Sequence, residues 1–214
     1  MSTNERVVFV AGATGAVGQV LVPLAEKRGL QVRPHVRPAS AGKLTHPGKV
    51  ALDLGDARLV EALRGCTTVV QLIGTMKKRF ASGDTYETSD VGTTRQLVDA
   101  AKQAGVSHFV LLSSVGAGRP VGAYLKAKAR AEALVRESQI PFTIFRPSAF
   151  EDREGQRMPG ARALTKFFGL TKYQPIRLEE LASAIALVIA RGSPTGVALE
   201  GQSLWAVVEE ATRA

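Results

Sequence analysis

Three glycines, Gly12, Gly15 and Gly18, constrain what this chain can fold into more than any other feature. They follow the apolar run VVFVA at residues 7–11 and open an amphipathic stretch at residues 16–28. The run is typical of a strand buried on both faces, and the stretch has helical spacing. Gly12 permits a sharp turn out of the strand, and Gly18 permits close packing of the helix on the sheet. The pattern therefore predicts a strand, a glycine turn and a helix.

The alternation of strand and helix continues along most of the 214 residues. Strands are expected at residues 7–11, 31–36, 49–52, 68–73, 106–112, 142–145 and 197–199. Helices are expected at residues 16–28, 57–64, 85–104, 123–138, 178–191 and 203–212, the last with Ser203 as its N-cap. Right-handed crossovers place such helices on both faces of a parallel sheet. The sequence predicts a single doubly wound, mostly parallel α/β domain of Rossmann-like type over residues 1–214, with residues 148–175 as a substrate-side insertion.

The spacing G-x-x-G-x-x-G before a helix can hold a pyrophosphate, because backbone N–H groups and the helix N-terminus would point at it. A plain turn between strand and helix is the simpler alternative. The second strand ends at Arg37 with no acidic residue nearby to hold a ribose 2′-hydroxyl. An arginine there can pair with a 2′-phosphate, which favours NADP(H) over NAD(H). Asp53, after the third strand, is placed to accept a hydrogen bond from the adenine amino group.

The net charge of +9 raises nucleic acid as an alternative partner. The basic residues are scattered, however, and only Lys77, Lys78 and Arg79 form a run, so nucleic-acid binding is not expected. No stretch reaches the roughly 20 apolar residues of a membrane span, and the start of the chain does not resemble a signal peptide. The single cysteine favours a reducing compartment. We expect a cytoplasmic protein that is a monomer or homodimer and does not bind a membrane.

Six segments, in chain order, resemble the short-chain dehydrogenase/reductase superfamily: VAGATGAVG, VRP, LDLGD, SSVGAG, YLKAK and FTIFRPSAF. The similarity is greatest to the atypical NAD(P)-binding branch, which includes NmrA-like and epimerase-like proteins. The resemblance implies a Rossmann fold and an NAD(P) cofactor for nearly the whole chain. The residues that it implies in cofactor binding are Gly12, Thr14, Gly15, Ala16, Val17, Gly18, Arg37, Asp53, Leu54, Ser113, Lys128 and Pro147.

Tyr124 and Lys128 are four residues apart, so they share one face of a helix. A lysine charge one turn away favours the phenolate form of a tyrosine, which would let Tyr124 exchange a proton with a substrate oxygen. The family's serine, tyrosine and lysine fall on Ser114, Tyr124 and Lys128, with Ser113 as the alternative serine. A solvated helix face is the simpler interpretation of the tyrosine–lysine pair. Many family members carry an asparagine in the preceding helix, where this chain has Ser89.

The sequence thus predicts an NADP(H)-binding oxidoreductase that reduces a small carbonyl substrate by hydride transfer. A non-catalytic NADP(H)-binding sensor or regulator is one alternative. An epimerase or dehydratase that uses NAD(P) internally is another. The segments 75–85 and 148–174 are expected to shape the substrate site. No metal is expected, because the histidines lack metal-ligand spacing, and Cys66 is not expected to act as a nucleophile.

Overall fold

The structure is a computed structural model that describes residues 6–74, 85–151, 165 and 169–214. Its strands are β1 (Val7–Ala11), β2 (Gln31–Val36), β3 (Val50–Ala51), β4 (Thr68–Gln71), β5 (His108–Leu112), β6 (Phe142–Phe145) and β7 (Val197–Leu199). They form one sheet in the order β3-β2-β1-β4-β5-β6-β7, and every neighbouring pair is parallel. The direction in which strands are added reverses between β1 and β4, which is the point where open α/β sheets form ligand crevices.

Helices cover both faces of the sheet. They are α1 (Ala16–Lys27), α2 (Arg58–Leu63), α3 (Thr93–Ala104), α4 (Gly122–Glu137), α5 (Leu178–Arg191) and α6 (Gln202–Arg213). Helices α1, α5 and α6 pack on one face, and α2, α3 and α4 pack on the other. Two 3₁₀ helices, Pro38–Lys43 and Thr171–Tyr173, and a π-helical turn, Glu87–Gly92, complete the described structure. This architecture confirms the predicted doubly wound α/β fold.

Strand β1 shows why its sequence is apolar without alternation. Val8 and Val10 pack into the core under α1, α5 and α6, whereas Phe9 and Ala11 pack into the core under α2, α3 and α4. All four side chains are fully buried. A strand covered by helices on both faces needs apolar residues at every position, which is the pattern from which the strand was predicted.

One predicted helix has a different winding, and one predicted N-cap is wrong. The helix expected over residues 85–104 is present, but it is π-helical over Glu87–Gly92 and becomes α-helical at Thr93. Ser203 is not an N-cap, because α6 begins at Gln202 after Gly201. The Ser203 hydroxyl instead accepts a hydrogen bond from the Glu200 N–H and donates one to the Glu200 carbonyl, both at 3.0 Å.

Parts of the predicted substrate-side segments lie outside the described residues, namely 75–84 and most of 152–168. Within the ranges 6–74, 85–151 and 169–214, none of the helices combines the length and the apolar composition needed to cross a bilayer. The ends of the second segment are joined: the Ser148 hydroxyl donates to the Gln174 carbonyl at 2.6 Å, and the Ile176 N–H donates to the Ala149 carbonyl at 3.0 Å.

His108, at the start of β5, is a buried titratable group far from the carboxyl edge of the sheet. Its Nε2 lies 2.9 Å from the Thr143 hydroxyl, which itself donates to the Pro194 carbonyl, so Nε2 carries the proton. The Nδ1 atom has no hydrogen-bond partner among the described residues. Burial, with Arg6 nearby, lowers the pKa of His108 to about 4.

We expect His108→Gln to weaken the acid sensitivity of the fold. Between pH 6.5 and about 4 the unfolded chain binds a proton that folded His108 does not, so stability falls as the pH falls. His108 therefore lowers the free energy of unfolding by about 2 kcal/mol as the pH falls from 7 to 5. Glutamine can still donate to Thr143 but does not titrate. Urea unfolding at the two pH values measures the difference, and an unchanged pH dependence in the variant would contradict the assignment.

Candidate functional site

A cleft of about 730 Å³ opens at the carboxyl edge of the sheet, at the ends of β1 and β4, where the direction of strand addition reverses. Its volume lies within the range of small-molecule and cofactor sites. All the residues predicted for catalysis or cofactor binding line this cleft: Gly12, Thr14, Gly15, Ala16, Val17, Gly18, Arg37, Asp53, Leu54, Ser113, Ser114, Tyr124, Lys128 and Pro147. The fold therefore brings together residues that are more than 130 positions apart in the chain.

The glycine turn leaves no room for side chains. Gly12 has φ +92°, a conformation that favours glycine, and a Cβ there would lie 3.1 Å from the Ile73 nitrogen. A Cβ on Gly18 would overlap the Gly12 carbonyl oxygen and the Ala13 backbone. The Gly15 N–H donates to the Gly12 carbonyl at 2.9 Å and so closes the turn. The three glycines thus allow a tight turn between β1 and α1, and the N-terminus of α1 faces the cleft, as an anion site at a helix N-terminus requires.

The far end of the cleft, beyond β2, carries two cations. Arg37 precedes the 3₁₀ helix Pro38–Lys43, and Ser40 and Lys43 of that helix also line the cleft. Asp53 lies across from them, in the turn after β3. Lys43 and Ser40 were not predicted, because the sequence between β2 and β3 gives no sign that the chain turns back toward the cleft.

His35 forms part of the wall next to these cations. Its Nε2 donates to the Leu52 carbonyl at 2.8 Å, and burial lowers the pKa of the His35 ring. The ring is therefore neutral at pH 7, so it adds no charge to this end of the cleft.

The other end of the cleft is formed by α4 and the end of β5. Tyr124 and Lys128 lie on one face of α4, and the Lys128 Nζ is 6.0 Å from the centre of the Tyr124 ring. The ammonium group forms an ion pair with Asp90 Oδ1 at 2.8 Å and donates to the Leu112 carbonyl at 3.2 Å. The Lys128 side chain is 8% exposed and that of Asp90 is 1% exposed. Lys128 is thus a buried, compensated cation whose position is fixed by contacts to two other elements.

Asp90 is the main site residue that the sequence did not predict. Ser89, at the position where many family members carry an asparagine, lines the cleft, and the next residue, Asp90, pairs with Lys128. Asp90 lies in the π-helical turn Glu87–Gly92, where an α-helix was expected. Gly74 lies against the pair, since a Cβ there would be 3.1 Å from Lys128 Nζ and 3.2 Å from Asp90 Oδ1.

The structure separates the two candidate serines. Ser113 is buried, and its hydroxyl donates to Glu132 Oε1 at 2.6 Å. Ser114 is half-buried at the cleft wall. Ser114 therefore fits the predicted catalytic serine better than Ser113 does.

Two further kinds of functional site were considered in the sequence, a metal site and a reactive cysteine. Across the described ranges, His, Cys, Asp and Glu side chains do not gather in groups of three that could hold a metal ion. Cys66 is buried near Arg33, and burial raises the pKa of its thiol. A buried thiol with a raised pKa is a poor nucleophile.

Comparison with known proteins gives matches over most of the chain. A family model described as NAD(P)H-binding matches residues 12–191. The protein TIC 62, chloroplastic, of Pisum sativum is 34% identical over 180 residues, which cover 70% of this chain and 34% of that protein. Divinyl chlorophyllide a 8-vinyl-reductase, chloroplastic, of Oryza sativa subsp. indica is 29% identical over 208 residues, which cover 87% and 51%. The chain spans about a third to a half of the length of these relatives.

Solved structures share the fold. A putative NAD-dependent epimerase/dehydratase from Bacillus halodurans aligns with a TM-score of 0.72 and 20% identity, over 96% of this chain and 99% of that one. NADPH-dependent quinone oxidoreductase QOR2 of Escherichia coli, complexed with NADPH, aligns with a TM-score of 0.67 and 20% identity, over 91% and 68%. A short-chain dehydrogenase/reductase superfamily protein of Agrobacterium tumefaciens with bound NAD aligns at 0.69 and 22%, over 96% and 81%. These matches confirm the resemblance seen in the sequence motifs.

The buried ion pair at the cleft predicts a characteristic pattern of stabilities. Asp90→Leu leaves the Lys128 ammonium buried without its carboxylate, so the free energy of unfolding should fall by about 3 kcal/mol or more. The double variant Asp90→Leu with Lys128→Met also removes the unpaired ammonium, so most of the lost free energy of unfolding should be recovered. Glu87→Gln breaks the exposed pair with Arg130 and should cost less than about 1 kcal/mol. Urea unfolding followed by circular dichroism measures all three variants, and equal costs for Asp90→Leu and Glu87→Gln would contradict the expectation.

Proposed function

The chain belongs to the NAD(P)H-binding family, and from that premise we propose that it is an NADPH-dependent oxidoreductase acting on a small carbonyl compound. The observation that carries the proposal is the meeting of three elements at one cleft. The glycine turn after β1 lines it, and so do Tyr124 and Lys128 of α4 and Ser114 after β5. In this proposal the glycine turn binds the dinucleotide, and Tyr124 on α4 is the proton donor beside it. The cytoplasmic location and the monomeric or homodimeric state stay predictions.

The residues present fit a dinucleotide. Gly12 and Gly18 let the turn pack against the end of β4 and the start of α1, where a Cβ would meet backbone atoms, and the first turn of α1 carries no acidic residue to repel a pyrophosphate. Lys128 is within reach of the cleft and could hold the hydroxyls of the nicotinamide ribose. When bound, the reduced nicotinamide supplies a hydride to the carbonyl carbon of the substrate.

The chain's own groups complete that reaction. The Ser114 hydroxyl would donate a hydrogen bond to the carbonyl oxygen and orient it. Tyr124 would donate its phenolic proton to the same oxygen as the carbon accepts the hydride, so that the carbonyl becomes an alcohol. Lys128 would hold the cofactor and the phenol in place, because its own position is fixed by Asp90 and the Leu112 carbonyl.

NADPH is the preferred form in this proposal, because Arg37 and Lys43 line the end of the cleft where the ribose 2′-phosphate would lie. Guanidinium and ammonium groups both bind phosphate, the first through paired hydrogen bonds and the second as a point charge. Ser40, on the same 3₁₀ helix, adds a hydroxyl that can donate to the phosphate.

Titration with NADPH and NADH tests the cofactor preference. We expect NADPH to bind at least about tenfold more tightly than NADH, since charge-assisted phosphate contacts contribute more than about 1.4 kcal/mol. Arg37→Ala and Lys43→Ala should each reduce the ratio and leave NADH affinity within a few-fold. Lys27→Ala, which removes the same charge at the far end of α1, should leave the ratio unchanged. A ratio near one in the unaltered protein would remove the basis for the NADPH preference.

One observation favours a second candidate function. The Lys128 ammonium beside Tyr124 is already engaged by Asp90 Oδ1 at 2.8 Å and by the Leu112 carbonyl at 3.2 Å, so fewer of its N–H donors are left for a cofactor or a substrate. A protein with this arrangement could bind NADP(H) and report its redox state to a partner without turnover. An epimerase or dehydratase is a further alternative, in which the substrate changes without net consumption of NADPH.

Replacing Tyr124 distinguishes the candidates. In a reductase, Tyr124→Phe removes the proton donor, so kcat should fall by about 10²-fold or more while the Kd for NADPH stays within a few-fold. The assay follows NADPH oxidation with a panel of aldehydes, ketones and quinones; quinones are included because a fold neighbour is named a quinone oxidoreductase. Tyr86→Phe is the matched control, since its ring packs 5.4 Å from that of Tyr124 and loses the same hydroxyl. NADPH binding without turnover on any panel member would favour the sensor.

A further inference from the structure

Two carboxylates and one guanidinium lie behind the segment 113–118, which follows β5 and carries Ser114. We call Glu132, Arg146 and Glu200 the carboxylate–arginine network. Arg146 Nε donates to Glu132 Oε1 at 2.8 Å, and its Nη2 donates to Glu132 Oε2. Arg146 Nη1 also donates to Glu200 Oε2 at 3.3 Å. One guanidinium thus joins a carboxylate from α4 to a carboxylate that follows β7.

The network binds the segment 113–118 on both sides of Ser114. The Ser113 hydroxyl donates to Glu132 Oε1 at 2.6 Å, and the Gly116 N–H donates to Glu200 Oε1 at 3.1 Å. Ser114 lies between these two bonds and makes neither. The side chain before the candidate catalytic serine and the backbone after it are therefore each bound to a carboxylate that pairs with Arg146.

Burial and paired hydrogen bonds restrict the side chains of the carboxylate–arginine network. The side chains of Glu132, Arg146 and Glu200 are 4%, 13% and 18% exposed. The hydrogen bonds that Arg146 donates to Glu132 raise the pKa of Arg146, so the guanidinium keeps its charge. Paired hydrogen bonds between a guanidinium and a carboxylate fix both direction and distance. A partly buried network with such bonds holds its atoms more rigidly than an exposed ion pair does.

The glycines of the segment fit this arrangement. A Cβ on Gly118 would lie 2.8 Å from Arg146 Nη1, so a side chain there would displace the guanidinium. Gly116 has φ +88°, which lets its N–H turn toward Glu200. The path of the segment and the position of Arg146 therefore depend on each other.

We propose that the carboxylate–arginine network is a positioning device that sets the Ser114 hydroxyl in the cleft, with Ser113 as part of the device rather than a group that contacts substrate. Lys172 Nζ forms an ion pair with Glu200 Oε1 at 3.2 Å, so the same carboxylate also contacts the C-terminal part of the predicted substrate-side segment 148–175. The network thereby couples the serine to the substrate side of the cleft. This inference rests on the proposed reductase function.

A positioning role differs from a merely structural one in what it changes. Loss of a structural ion pair lowers the free energy of unfolding and leaves the surviving folded molecules fully active. Loss of a positioning contact changes kcat in folded molecules, because a displacement of about 1 Å at a reacting group can cost about 10²-fold. The glycine turn is on the opposite side of the cleft, so NADPH binding should not respond.

The test uses Glu132→Gln and Glu200→Ala in the full chain, with Arg136→Gln as the matched control. Arg136 approaches Glu132 only at 3.7 Å from an exposed position, so its loss leaves the bonds to Ser113 and Arg146 intact. Hydrogen exchange by mass spectrometry compares residues 113–118 with residues 12–18. Kinetics with NADPH and the best carbonyl substrate of the panel give kcat and KM, and titration gives the Kd for NADPH.

We expect both network variants to speed exchange at residues 113–118 by about tenfold, to leave residues 12–18 unchanged, and to lower kcat by about tenfold or more at constant NADPH Kd. Ser113→Ala should follow Glu132→Gln in exchange, whereas Ser114→Ala should lower kcat without changing exchange. Arg136→Gln should behave as the unaltered protein. If Glu132→Gln does not fold, Glu200→Ala, at a more exposed position, gives the result.

Unchanged exchange at residues 113–118 in the network variants overturns the proposal. So does a kcat that stays constant while exchange rises, because the segment would then move without consequence for the serine. If the unaltered protein binds NADPH but turns over no substrate, the proposed reductase function fails, and with it the catalytic purpose of the device. The exchange measurement then still decides whether the network holds the segment.

Discussion

The buried ammonium of Lys128 is the constraint around which the α4 side of the cleft is arranged. A cation with a side chain 8% exposed needs a nearby anion and a hydrogen-bond acceptor, and both must come from other elements. Asp90 supplies the anion from the π-helical turn, and the Leu112 carbonyl supplies the acceptor at the end of β5. Gly74, after β4, leaves the space that the pair occupies. The need to compensate one charge thus fixes the relative positions of α4, the π-helical turn and two strand ends.

Local sterics explain why the nucleotide side of the cleft could be predicted from the sequence. The run VVFVA and the three glycines act within a dozen residues, and each glycine meets backbone atoms of the same turn or of the neighbouring strand end. Hydrophobic patterning likewise predicts the strands, because a strand buried on both faces needs an apolar side chain at nearly every position. The positions of Arg37 and Asp53 then follow from topology, since the carboxyl ends of parallel strands lie at one edge of the sheet.

The α4 side of the cleft could be predicted only in part, because the groups that meet there are distant in sequence. Tyr124 and Lys128 share a helix face, which spacing alone predicts. Asp90 was not predicted as the partner of Lys128, because it lies in a π-helical turn on another element, where an α-helix was expected. Ser113 was expected to bind the cofactor or to be the alternative catalytic serine, and nothing in the sequence marks Glu132 as its partner or Arg146 as the partner of Glu132. Pairing of this kind depends on packing, which local patterns do not encode.

The cationic side chains in and around the cleft lie at two ends. Lys128, which lines the cleft, and Arg146, behind the segment that follows β5, are each paired with carboxylates within hydrogen-bond distance. Arg37 and Lys43 lie at the opposite end, on the rim that the 3₁₀ helix Pro38–Lys43 forms. The start of α1 adds the partial positive charge of a helix N-terminus between these two ends. Arg37 and Lys43 thus lie on a different element from the ion pairs of α4 and the end of β6, so substitutions at the rim are not expected to disturb those pairs.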